Sequence, residues 1–95
     1  MNIPSKIKIL GHIYEVILRD RETEDGGERN PGTCDNKFCR IWIDNTWAES
    51  QQEETLLHEI CEAINFILDL ELDHKQLTSI AASFYQVFKD NQFKI

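Results

Sequence analysis

His58-Glu59-Ile60-Cys61-Glu62 sets an imidazole and a carboxylate four residues apart, with a second carboxylate beside the imidazole. On a helix, residues i and i+4 share a face, so His58 and Glu62 point the same way and Glu59 sits next to them. The layout is HExxH with its last His replaced by Glu. In that motif two side chains at i and i+4 bind one Zn²⁺, and the intervening Glu takes a proton from metal-bound water as general base. Zinc accepts carboxylate oxygen as well as imidazole nitrogen at about 2.0–2.2 Å, so Glu62 is an acceptable ligand provided a third one completes an open tetrahedral site. His74 is the candidate, because it falls where a second helix begins after a short connection, and a tight helical hairpin returns such a residue toward the first helix. The set is then His58, Glu62 and His74 around one Zn²⁺ per chain, with Glu59 as catalytic base. Two imidazoles and one carboxylate also suit iron, manganese or cobalt.

The same residues have plainer readings. A His and a Glu at i and i+4 often form an ordinary exposed charged pair, and His74 reads equally as a solvated residue at a helix start. Cys34 and Cys39 have a spacing compatible with half a zinc site, but no second cysteine pair exists, and Cys61 falls within a helical apolar pattern as a small buried residue. Tyr85 follows His74 by eleven residues, about 16 Å along a helix axis, which is too far to polarise a substrate at that metal. It is expected to pack, with its hydroxyl on a polar partner. Trp42 and Trp47 flank the step from strands to helices; one of them is expected to cover the sheet beneath the first helix, with substrate lining as a second role for Trp42.

Positioning these groups requires a strand-rich half followed by a helical half. Lys6-Ile7-Lys8-Ile9 alternates, Gly11 marks a turn or bulge, and His12 to Leu18 resumes a β pattern. Arg19 to Gly32, with Asp25-Gly26-Gly27 and Asn30-Pro31-Gly32, carries turn chemistry and is expected to form a mobile surface loop. Thr33 to Asp44 reads as a short hairpin turning at Asp35-Asn36-Lys37. From Asn45 the period becomes helical: Leu57, Ile60, Cys61, Ile64, Ile67 and Leu68 define a helix over 48–68, and Leu77, Ile80, Ala81, Phe84, Val87 and Phe88 define another over 73–90. Strands segregated from helices predict one α+β domain over 1–95, a small antiparallel sheet of three to four strands from residues 1–44, with the helical pair of 45–95 packed on one face.

Charge divides the same way. Residues 1–44 hold 7 basic and 8 acidic side chains, and residues 45–95 hold 3 and 9, which gives about −1 and −6 of the total −7. That field repels phosphate backbones and attracts cations and basic peptides, so nucleic acid is not an expected partner, although a DNA mimic acting on a host nuclease would carry the same signature. No stretch approaches the ~20 apolar residues of a membrane span, and no apolar run follows Met1, so a cytoplasmic location is expected. Three cysteines give no disulfide framework.

Glu53-Glu54-Thr55-Leu56-Leu57-His58-Glu59-Ile60, followed by Leu70-Glu71-Leu72 and Phe84-Tyr85-Gln86-Val87-Phe88-Lys89-Asp90-Asn91, resembles small phage and bacterial proteins related to minigluzincins. The resemblance covers residues 38–91 well and the first strands loosely. It implies His58 as a metal ligand, Glu59 as the base, and peptides or proteins as substrates. This chain departs at Glu62, where the family pattern has His, while His74 falls close to where the family's carboxylate ligand would lie, as if the two ligand types had been exchanged. Two functions are therefore expected of it: a zinc-dependent metallopeptidase that hydrolyses peptide bonds with metal-activated water, or a catalytically inactive phage-encoded binding protein that engages a basic partner through its acidic helical face.

Overall fold

The computed structural model describes residues 3–20 and 31–92. Four strands precede two helices: β1 (Lys6–Ile9), β2 (His12–Arg19), β3 (Gly32–Asp35), β4 (Arg40–Asp44), α1 (Glu49–Leu68) and α2 (His74–Asn91). The α+β order and the boundaries follow the sequence pattern closely. The loop expected over Arg19 to Gly32 falls largely outside the described residues; its first residue ends β2 and its last begins β3.

Both hairpins turn for visible reasons. Leu10 and Gly11 take φ of 48° and 89° between the paired Ile9 and His12, the left-handed two-residue geometry whose twist matches the flanking strands. In the second hairpin the Asp35 carboxylate accepts hydrogen bonds from the Lys37 and Phe38 amides at 3.1 and 3.3 Å. Phe38 and Cys39 belong to this turn, and the strand starts only at Arg40.

The sheet is mixed, with order β1-β2-β4-β3, and this corrects the wholly antiparallel expectation. β1·β2 and β3·β4 are antiparallel, but β2 and β4 run parallel in a register that pairs Val16 with Ile41 and Leu18 with Ile43. The reason lies in which strand tolerates the edge. Ile41 and Ile43 are fully buried, which suits a central strand, whereas Gly32-Thr33-Cys34-Asp35 has little apolar surface to hide and suits an edge.

Ile9, Tyr14, Val16, Ile41 and Ile43 meet Leu56 and Ala63 of α1 in one core, with Ile60, Ile64 and Ile67 at its margin. α1 alone covers the sheet; α2 packs on α1 and, among the described residues, on no strand. Trp42 pairs with Ile17 and Thr33 in the row that faces away from α1, and the Arg19 guanidinium lies 5.5 Å from its ring. It does not lie beneath the helix.

A buried acid joins the two helices. Glu53 is wholly buried, and its Oε1 accepts hydrogen bonds from the Tyr85 hydroxyl at 2.6 Å and the Lys89 ammonium at 3.3 Å. Burial alone would push this carboxyl up, but the hydrogen bonds it accepts, that from Tyr85 foremost, outweigh it and hold the group below its ordinary range. The packing role expected of Tyr85 thus has a named partner.

Tyr85→Phe removes the shorter of the two hydrogen bonds to a buried carboxylate oxygen, leaving that from Lys89, and is expected to destabilise the protein by about 1–3 kcal/mol, read from denaturant unfolding. Tyr14 and Tyr85 are the chain's two tyrosines, and burial first of all pushes each phenol from 10.0 up to about 12. A group whose folded value is raised contributes stability below its unfolded value and loses it as pH climbs. Phenolate absorbance is therefore expected to stay flat through pH 10 and to rise near pH 12, with stability falling over that window; a titration centred at 10 would contradict the packing of both rings.

Candidate metal centre

His58 lies in the middle of α1, Glu62 one turn later, and His74 is the first residue of α2. The connection between the helices is tightly specified. Asp69 and Glu71 take left-handed φ of 52° and 60°, the Asp69 amide donates to Phe66 O at 3.3 Å, and the Leu70 amide donates to Asn65 O at 3.1 Å. The Asn65 side chain spans the turn: its Oδ1 accepts from the Leu72 amide at 3.0 Å and its Nδ2 donates to Leu72 O at 3.3 Å. Asp73 then caps α2 in a reciprocal box with Gln76, at 2.8 and 2.9 Å.

This turn returns His74 to α1. The His58 and His74 rings stand edge to face with centroids 5.2 Å apart, and His58 Nε2 is 4.0 Å from Glu62 Oε1. One ligand atom from each of His58, Glu62 and His74 lies within 4.8 Å of the other two, and no other such group of three is found among the described residues. A tetrahedral zinc with bonds of ~2.0–2.2 Å keeps its ligand atoms about 3.4 Å apart, so side-chain adjustments of about 1 Å would close the three onto an ion. The donor set is chemically suitable for zinc.

Electrostatics favour the coordinating form of His58. Burial foremost, with the nearby His74, holds its imidazole below the ordinary value against the opposing pull of Glu62 and Glu54, so the ring is neutral at pH 7 with a lone pair to offer. The Thr78 hydroxyl lies 3.4 Å from His74 Nε2, a contact of the kind that orients a ligating imidazole from outside.

The three side chains open onto a cleft of about 810 Å³ between edge strand β3 and the two helices. Glu59 lines its β3 side: it is buried, and its Oε2 lies 3.3 Å from where a side chain on Gly32 would begin. Glu54 and Thr55 extend the α1 wall toward its N-terminus, and Thr78 and Ala81 form the α2 wall. Cys34 also faces this space, but burial and then the charges of Glu59 and Glu62 push its thiol up to about 12. It is protonated at neutral pH and donates to Asn36 Oδ1 at 3.3 Å. Cys39 approaches the Asn36 carbonyl oxygen at 4.0 Å, so both thiols serve the hairpin turn. Trp42 does not line the cleft, although its carbonyl oxygen lies 3.0 Å from the same Gly32 position.

Set beside known proteins, the chain matches no family model, no curated protein and no solved structure.

Gly32, Glu54 and Thr78 were not singled out by the residue pattern. Only Gly32 carried a signal, since a glycine within a strand often marks a close approach of other groups. An added Cβ there would stand 2.5 Å from Thr55 Cγ2 and 3.0 Å from Trp42 O. Gly32→Ala is therefore expected to lower stability by about 1–3 kcal/mol, seen as a reduced melting temperature. An unchanged melting temperature would mean that α1 does not sit on β3 as described.

Proposed function

We propose that the protein is a minigluzincin-like zinc metallopeptidase of the cytoplasm of a bacterial or phage-infected cell, holding one Zn²⁺ through His58, Glu62 and His74. The observation that carries this reading is the convergence of those three side chains from two helices to within 4.8 Å. An ordinary i, i+4 ion pair on α1 gives no reason for an imidazole on α2 to stand at the same point. The bound metal would supply Lewis acidity and an activated water. The chain's own groups supply the rest. Glu59, beside His58 on the cleft's β3 side, accepts the water's proton and delivers it to the leaving amine. Burial between α1 and β3 leaves Glu59 only 5% exposed and limits its contact with bulk water. The cleft, open between β3 and the helices, gives an extended peptide a place to lie.

A second reading rests on a different surface. Ile80, Phe84 and Val87 recur along the outer face of α2 at 36%, 52% and 37% exposure, an apolar stripe of the kind that marks protein contacts. In that reading the protein is an inactive binding module and the helical pair is its interface. For location, the structure contributes one fact: among the described residues no helix is long and apolar enough to cross a membrane.

Metal content, measured by mass spectrometry on protein purified without an affinity metal, separates the two. About one zinc per chain is expected in the parent, with affinity reduced at least tenfold in Glu62→Ala and in His74→Ala. Glu59→Gln should keep the metal and lose about 10²- to 10⁴-fold in peptide hydrolysis. Absence of metal in the parent after zinc is offered would overturn the hydrolase reading in favour of the binding module.

A further inference from the structure

The proposed chemistry uses two of the three carboxylates in the cleft. Glu62 is a ligand and Glu59 is the base, which leaves Glu54, half-buried on the α1 wall. Four residues before His58, it lies one helical turn, about 6 Å, from that ligand along the axis, and its charge is felt at the His58 ring. Among the described residues, no Lys or Arg lines the cleft.

Charge arithmetic then gives Glu54 a decisive place. Counted over the described lining residues, a bound Zn²⁺ would contribute +2 against the −2 of Glu59 and Glu62. The remaining −1 belongs to Glu54 and is not at the metal but beside it, in the direction in which α1 leads out of the site. Spacing points the same way: an extended peptide advances about 3.3 Å per residue, so a side chain about two residues from a carbonyl held at the metal would reach Glu54. Partial enclosure between α1, α2 and β3 lowers the local dielectric and strengthens what the Glu54 charge can do.

We infer that Glu54 selects substrate, and that the cleft takes peptides carrying a lysine or arginine about two residues from the bond at the metal. This rests on the metal-cleft reading and adds the class of peptide. Glu54 is in this account a specificity residue that meets a substrate side chain, with no part in the bond-breaking step.

The test uses the Glu59→Gln protein, which holds substrate without consuming it, in zinc-loaded and metal-free forms. Short blocked peptides in which one Lys is moved position by position are titrated by calorimetry, each against its norleucine counterpart of equal length and near-equal bulk. One Lys position is expected to bind about fivefold or more tighter than norleucine, as a half-exposed charge pair would give. Adding Glu54→Gln should erase that ratio, and adding Glu54→Lys should invert it in favour of a Glu-bearing peptide, with melting temperature confirming that both variants fold. A Lys preference that survives Glu54→Gln, equal binding of Lys and norleucine peptides at every position, or no peptide binding at all would overturn the inference. Failure of the underlying metal reading has a separate signature, the absence of zinc uptake, and the Lys-to-norleucine ratio in the metal-free protein still judges Glu54 in that case.

Discussion

The five residues from Asp69 to Asp73 decide whether this molecule has a site. They reverse the chain between two helices, and they do so at a cost, since Asp69 and Glu71 both occupy left-handed backbone that non-glycine residues enter only with strain of about 1–2 kcal/mol each. Asn65 offsets that cost by gripping the turn with two side-chain hydrogen bonds to Leu72, and the Asp73–Gln76 box fixes the first turn of α2. The outcome is positional. α2 starts at His74, and His74 stands against His58. A shift of one residue in the start of α2 would turn that imidazole by about 100° around the helix and away from α1.

A second constraint acts on the opposite wall. β3 is an edge strand poor in apolar side chains, yet α1 rests against it because Gly32 has no side chain to hold Thr55 and Glu59 away. The buried polar residues of α1 therefore divide by neighbour: Thr55 and Glu59 face β3 and the cleft, while Glu53 reaches Tyr85 and Lys89 on α2. Burying two glutamates on a single helix is costly unless each is partnered. Here the same helix must serve the sheet, the second helix and a polar cleft.

Much of this was legible in the chain. Alternation in β1 and β2 and the 3.6-residue period of α1 and α2 located every element, and the i, i+4 spacing of His58 and Glu62 with a short connection to His74 was enough to expect those side chains together. What was hidden depended on non-local competition. The apolar stripe read along α1 ran through Leu57 and Leu68, but the fully buried line runs through Glu53, Leu56 and Ala63, because small and partnered residues permit close approach where larger ones do not, and Leu68 is 53% exposed. The parallel pairing of β2 with β4 was equally invisible, since local pattern says that a hairpin exists but not which of its two strands takes the inner place. Glu54 had no role assigned from the local pattern, because its place on the cleft wall depends on where β3 and α2 come to lie.

Because α2 touches α1 and, among the described residues, no strand, the molecule has a seam. On one side are the sheet and α1, which share the apolar core; on the other is a single helix held by Leu77, Ala81 and the contacts of Glu53. Such an element can detach and return as a cooperative unit while the remainder stays folded. An ion bridging His58 and Glu62 to His74 would span that seam, and at a free concentration of ~100 times its dissociation constant it would stabilise the closed form by about 2.7 kcal/mol. Metal supply would then govern how often the cleft exists at all, since its α2 wall is present only while the seam is shut.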